Sequence, residues 1–220
     1  MDNEIAVETM KMYVPMVAGR YRIASDLGGG QIFTRAVEDG YFLFLITPDW
    51  RSRTIEQDVP RVAGRMALMP LPAVAPGKRR TTTWGGTMIG ITRRCQNPDL
   101  AWELIMHLYF NREDLAQRFR DTNILPPARD LWDHPAYYEK RPYWSNQPLG
   151  ALYAKLAPDV PFQYTSPYIS LAKAKMSEAL IGCVRYYNTY GERGFDGYVR
   201  KQLEQSAEEV RRAIRRNPYL

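Results

Sequence analysis

Tyr41-Phe42-Leu43-Phe44-Leu45-Ile46, running into Thr47-Pro48-Asp49-Trp50, is the longest apolar run in a chain of 220 residues. It is apolar on both faces and rich in aromatic side chains, the pattern of a central strand with helices packed on each side. Pro48 closes it, because proline cannot donate to a ladder. Upstream, Gly28-Gly29-Gly30 breaks the chain, and Ile32, Ala36 and Val37 make a short helical face that ends at Asp39-Gly40. A glycine there suits a left-handed C-terminal cap. Downstream, residues 51–64 are charged and carry Pro60 and Gly64, a surface helix or loop. A second short strand, Arg65-Met-Ala-Leu-Met69, is ended by Pro70-Leu-Pro72. Residues 73–83, with Pro76-Gly77-Lys-Arg-Arg80, form an exposed excursion. It returns through Trp84-Gly85-Gly86 into a third strand, Thr87-Met-Ile-Gly-Ile91.

Outside this central third the periodicity is helical. Residues 4–24 place Ile5, Met12, Tyr13, Met16 and Val17 near helical spacing behind an Asn3 cap, with Pro15 expected to kink or split the helix. Asn97 and Pro98 open a helix with Leu100, Ala101, Leu104, Ile105, Leu108 and Tyr109 on one face, the signature of a core helix. Asn111 caps the next, with Glu113 and Asp114 in its first turn, and Asn123 with Leu125-Pro-Pro127 stops it. Residues 129–165 read as short helices and loops. After Pro167 a long helix aligns Ile169, Ala172, Met176, Ala179, Leu180, Cys183, Val184 and Tyr187. The last helix aligns Val199, Leu203, Ala207, Val210 and Ile214, with Glu208 and Arg212 spaced to pair. Helices outweigh strands, and the strands stand far enough apart for an α/β sheet rather than hairpins.

Composition excludes several classes. The chain is 45% apolar and 25% charged, so it can bury a core and is neither disordered nor fibrous. A net charge of +6 is too mild for an architectural nucleic-acid protein. No run approaches the roughly 18–20 apolar residues of a membrane span, so no membrane insertion is expected. The first ten residues are acidic and amphipathic, without the basic start and apolar stretch of a secretory signal. Cys95 and Cys183 lie far apart and make no metal-binding or redox motif. His107 and His134 fit no metal or triad pattern, and no phosphate-binding glycine loop or nucleophile elbow is present. No cofactor is expected. Asp130 and Asp133 read as a surface carboxylate pair, and Arg211-Arg-Ala-Ile-Arg-Arg216 as the solvated side of an amphipathic helix. The unusual feature is the aromatic inventory of 15 Tyr, 5 Trp and 7 Phe. Trp50, Trp84, Trp132, Trp144, Tyr164 and Tyr168 fall at the edges of elements. Ring faces at loop tips pack on the C–H groups of a sugar while neighbouring polar groups take its hydroxyls.

The order of these features resembles the C-terminal half of the family 1 extracellular solute-binding proteins, the maltose-binding-like receptors of ABC importers. The resemblance rests on Asp39-Gly40, the apolar strand into Pro48-Asp-Trp50, the strand into Pro70-Leu-Pro72, Trp84-Gly-Gly-Thr-Met-Ile-Gly-Ile91 and Asn97-Pro-Asp-Leu-Ala-Trp102. It covers about residues 30–215, and the ordered set is more telling than any single motif. It implies a helix-rich α/β fold of the type II periplasmic-binding-protein kind, in which two lobes clamp a sugar or oligosaccharide without altering it. It further implies that the chain is the C-terminal portion of such a receptor: residues 1–64 would be helices and a strand of the second lobe, residues 65–125 crossover segments between lobes, and residues 126–220 closing helices. Site residues carried over are Asp49, Trp50, Trp84, Gly85, Gly86 and Tyr168, at strand ends where an open sheet presents ligands. The implied partners are the sugar, the membrane subunits of the importer and a missing N-terminal lobe. The implied location is periplasmic or extracellular. The family places a glycine just before the tryptophan, where this chain has Thr47-Pro48-Asp49. Helices that in the family pack on strands not encoded here would leave exposed apolar surface and impair binding by the chain alone. The other readings are a carbohydrate-active enzyme using Asp49 or Asp130, and a basic module using Arg211–Arg216.

Overall fold

The computed structural model describes residues 1–25, 28–86, 88–163 and 165–217. Thr87 and Tyr164 lie outside the described residues. The chain divides into two compact units, one of residues 1–27 with 164–220 and one of residues 28–163.

The first unit is a three-helix assembly of α1 (Glu4–Val17), α7 (Ile169–Tyr190) and α8 (Phe195–Arg215). α1 begins as its sequence dictates: the Asn3 side chain accepts a hydrogen bond from the Ala6 amide at 3.0 Å. Pro15 is accommodated in the last turn, so the helix runs uninterrupted to Val17 and stops there instead of continuing to residue 24. Val7, Met10 and Val14 meet Ala179 and Cys183 of α7 and Phe195, Val199 and Leu203 of α8 in a buried core. Ion pairs tie the two ends of the chain together on the outside: Arg200 to Glu4 and Arg211 to Asp2, each at 2.8 Å, and Lys11 to Asp196 at 2.9 Å. Glu208 pairs with Arg215 and Arg211 rather than with Arg212. Gly19 donates to the Asn188 side chain at 2.8 Å, fixing the exit from α1.

The second unit holds α2 (Gly30–Glu38), α3 (Asp49–Asp58), α4 (Pro98–Phe110), α5 (Arg112–Thr122) and α6 (Leu149–Leu156), with short 3₁₀ turns between them. Phe33 and Val37 of α2, Ile55 of α3, Val59, Val62, Phe119 of α5, Tyr137, Trp144 and Leu149 form its core. The buried face of α2 is therefore Phe33 with Val37, while Ile32 points to solvent. Gly40 adopts φ +71° after α2, the left-handed turn expected of it. Asn111 caps α5 through the amides of Glu113 and Asp114 at 3.1 and 3.2 Å.

Among the described residues no strand ladder forms, and the one β-type pairing is an isolated antiparallel bridge between Arg141 and Gln147. Residues 41–46, 65–69 and 88–91 are irregular instead of strands. The reason is the absence of backbone partners: a strand is stable only where a neighbour supplies the other half of each hydrogen bond. Around residues 65–69 side chains take that role. The Gln147 amide accepts from Leu68 N at 2.7 Å and donates to Leu68 O at 2.9 Å, while Ser145 donates to Met66 O at 2.8 Å. Phe42 and Leu45 lean on the core, but Leu43 and Phe44 are 86% and 80% exposed. α4 departs from expectation in the same way: Ile105 is its one buried residue, and Leu100, Trp102, Leu104, Met106 and Phe110 are exposed.

Candidate functional site

Asp49 and Trp50 form the first turn of α3. Pro48, extended at φ −77° and ψ 167°, ends the apolar run and sets the helix start without a side-chain cap. The Asp49 carboxylate, half-buried, accepts from the Trp50 amide at 2.8 Å. Burial pushes its pKa above the ordinary aspartate value, and hydrogen bonds from the backbone amides of Trp50 and Leu125 oppose this. The Trp50 ring is 47% exposed. Arg51 lies over the Phe33 ring, 5.2 Å from its centre. A hollow of about 20 Å³ is lined by Phe33, Leu45, Ile46, Thr47, Arg51 and Ile55. That is room for about one water molecule, not for a sugar ring.

Beneath this helix start lies a polar network absent from the sequence reading. Ser52, fully buried, donates to Asp49 O at 2.6 Å and accepts from Asn123 Nδ2 at 3.1 Å and Tyr153 OH at 3.3 Å. Asn123 sits at the C-cap of α5 in left-handed conformation, φ 60°. It donates to Glu56 Oε1 at 2.8 Å and accepts from Arg141 Nη2 at 2.6 Å. Arg141 also donates to Arg120 O at 2.6 Å, satisfying a terminal carbonyl of α5. Glu56 further accepts from the Trp144 indole at 2.7 Å and pairs with Arg53 at 2.6 Å. Burial raises the Tyr153 phenol well above its ordinary range and pushes Tyr143 up to about 12. The network's chemistry is positional: its hydrogen bonds fix α3 against α5 and α6, although Arg53 Nε and Arg141 Nε are buried without a partner among the described residues. The left-handed Asn123 ahead of Leu125-Pro126 was the one part visible in the sequence, as a helix stop.

Trp84, Gly85 and Gly86 lie in the same unit on irregular chain. Trp84 is 57% exposed, and among the described ring pairs none joins it to Trp50. Gly85 and Gly86 take φ +99° and +154° with open space where a side chain would stand. These are conformations that leave the backbone approachable by a ligand. Tyr168, half-buried, is the N-cap residue of α7 and belongs to the other unit. Trp144, by contrast with these, is a core residue, and Trp132 donates its indole N–H to Pro126 O at 2.7 Å.

The remaining polar candidates are engaged structurally. His107 faces Asp114 at 3.1 Å, His134 accepts from the Ala136 amide at 3.1 Å, and Asp133 pairs with Arg112 at 2.6 Å. Among the described residues no three His, Cys, Asp or Glu side chains gather to hold a metal ion, and no helix is long and apolar enough to cross a membrane.

No protein-family model matches the chain. Curated proteins to which it is similar include two arabinooligosaccharide-binding proteins. The arabinooligosaccharide-binding protein of Halalkalibacterium halodurans is 23% identical over 148 residues, 66% of this chain and 33% of the relative. The arabinooligosaccharide-binding protein of Bacillus subtilis is 22% identical over 145 residues, 65% of this chain and 34% of the relative. The chain thus spans about a third of the length of the relatives it matches, and what it shares with them is distant kinship to proteins that bind oligosaccharides.

Proposed function

We propose that this chain is the sugar-contacting part of a carbohydrate-binding receptor that serves an ABC importer outside the cytoplasmic membrane. The observation that carries the reading is the similarity, across 65–66% of the chain, to two arabinooligosaccharide-binding proteins. Both relatives are named for binding, which favours recognition over chemistry. In this reading the fold is the helix-rich α/β lobe of a two-lobe, type II receptor of the family 1 kind. Trp50 and Trp84 stack on pyranose or furanose faces, Asp49 accepts a sugar hydroxyl, and Gly85 and Gly86 offer backbone amides. The ligand is a pentose oligosaccharide, and the membrane subunits of the importer are the protein partners.

A half-site built from exposed rings binds weakly, and a dissociation constant near 1 mM corresponds to only about 4 kcal/mol. The test is a tryptophan fluorescence titration of the chain with arabino-oligosaccharides. The reading requires saturable quenching that Trp50→Ala and Trp84→Ala each weaken. Saturation that is unchanged in both variants would remove the assigned site. Turnover of a chromogenic arabinoside, lost in Asp49→Asn, would move the protein into the class of carbohydrate-active enzymes.

A further inference from the structure

Lys78, Arg79 and Arg80 are consecutive, exposed, and carried on a loop that hangs from the second unit by its base. Leu71 N donates to Arg80 O at 2.9 Å, and Arg80 turns its guanidinium back to Leu71 O at 3.0 Å and Pro70 O at 3.4 Å. The tip is a tight turn, in which Lys78 N donates to Ala75 O at 3.1 Å across Pro76 and Gly77, the latter at φ +74°. Nothing apolar anchors it: Val74 is 80% exposed, and among the described residues none from 70 to 97 belongs to the buried core. Residues 78–86 carry no regular structure. Opening such a loop breaks a few hydrogen bonds that water replaces, so it belongs to the low-stability end of the molecule. Its three cations differ. Among the described residues the side chains of Lys78 and Arg79 make no hydrogen bond or ion pair, whereas Arg80 is tied back to the base.

We propose that the peptide bond between Arg79 and Arg80 is a processing site for a serine endoprotease that cuts after lysine or arginine, and that the cut chain stays folded as two pieces. Such an enzyme needs a free cation for its primary pocket and slack, extended backbone around the bond it cuts. Lys78 belongs to the turn and Arg80 is held, which leaves Arg79 as the cation that can enter. Other basic residues on irregular chain fail one requirement. Arg93 and Arg94 sit inside a turn closed by Cys95 N on Thr92 O at 3.0 Å, and Arg22 precedes two amides that donate to Met16 O at 2.8 Å. Arg65 precedes Met66 and Leu68, which Ser145 and Gln147 pin. In the reaction the protease's serine oxygen adds to the Arg79 carbonyl carbon and the C–N bond breaks. The serine's proton passes to the leaving Arg80 amine, and one water then releases Arg79 as a carboxylate. Both cores straddle the cut. In the second unit Phe33, Val37 and Ile55 lie before it and Phe119, Trp144 and Leu149 after it; in the first, Val7 and Val14 lie before it and Val199 and Leu203 after it. The inference does not depend on the sugar assignment.

The experiment is limited digestion of the whole chain with trypsin at a low enzyme ratio, with the products identified by intact mass. The first products should be residues 1–79 and 80–220, which run apart in denaturant and elute together in native gel filtration. Lys78→Gln with Arg79→Gln, the first change keeping the cut from moving back by one residue, should slow that first cleavage about tenfold or more while the circular dichroism spectrum stays the same. Arg93→Gln with Arg94→Gln should leave the rate at the wild-type value. A first cut at any other bond, that after Arg80 included, overturns the assignment. A Lys78→Gln, Arg79→Gln variant cleaved as fast as the wild type overturns it too. Pieces that separate on the native column overturn the folded two-piece form.

Discussion

The indole N–H of Trp144 donates to the carboxylate of Glu56 at 2.7 Å, joining residues 88 positions apart in the sequence. Trp144 is almost fully buried, and the Glu56 side chain is only 10% exposed. A carboxylate held there depends on its donors, which are Trp144, Asn123 and Arg53. Trp144→Phe should therefore cost about 2–4 kcal/mol, from the lost donor to a charged acceptor and the smaller ring in a packed core. Urea unfolding followed by circular dichroism measures it. A loss under about 0.5 kcal/mol would show that the bond contributes nothing to stability.

Tyr137 presents the opposite case. Its ring is fully buried, edge-on to Phe119 at 4.9 Å, and its hydroxyl has no hydrogen-bond partner. Burial accordingly raises its pKa. Tyr137→Phe removes a polar group that has given up water for nothing, so it should leave stability unchanged or raise it by about 1 kcal/mol. The same unfolding measurement decides.

Gly150 of α6 lies against Tyr137, and a Cβ there would stand 2.3 Å from the Tyr137 carbonyl oxygen. A backbone oxygen cannot swing aside as a side chain can. Despite the better helix propensity of alanine, Gly150→Ala should destabilise the second unit by about 2 kcal/mol or more. Gly197→Ala is the control, because that position has open space.

Asp49 predicts a pH dependence of definite sign. Its folded pKa is raised by burial, so the protonated form is the favoured one in the folded state. Its contribution is most favourable below the unfolded aspartate pKa and is lost as pH rises through the raised folded value. Asp49→Asn should then be neutral at low pH and gain stability relative to the wild type toward neutrality. Melting temperatures across that range check the crossing.

The ion pairs of the first unit carry the reverse sign. Arg211 holds Asp2, Arg200 holds Glu4, and Lys11 with Arg200 holds Asp196 below their ordinary values. These groups favour the folded state above the unfolded carboxylate pKa and lose that effect as pH falls through their lowered values. Docking of α1 should weaken under acid and under high salt together. Amide exchange in α1, compared with α8, reads it.

Local features of this fold were legible and distant ones were not. The caps Asn3 and Asn111, the left-handed Gly40 and the stripes of α7 and α8 follow from residues within a few positions of one another. The strands at 41–46 and 65–69 failed because an apolar run states only that burial is wanted, while the ladder needs partners from elsewhere. The helix expected after Asn97 and Pro98 formed as α4, but its core placement did not, because an apolar face does not say what will pack on it. The network of Ser52, Glu56, Asn123, Arg141, Trp144 and Tyr153 spans up to 101 positions and has no local signature. At the candidate site, Asp49 with Trp50 emerged as neighbours on a helix start instead of a strand end. Trp84 with its glycines kept an open backbone without the strand expected to hold it.

The first unit is assembled from the two ends of the chain, with residues 28–163 inserted between α1 and α7. Its N-terminal helix is thus tethered to its berth by a very long loop, and closing that loop makes its docking slow and late in folding. A single protease nick in the insert would leave α1 joined to the rest of its unit by non-covalent packing alone, its own and that of the second unit's core. Denaturing the nicked protein should then set α1 free, where the intact chain keeps it tethered.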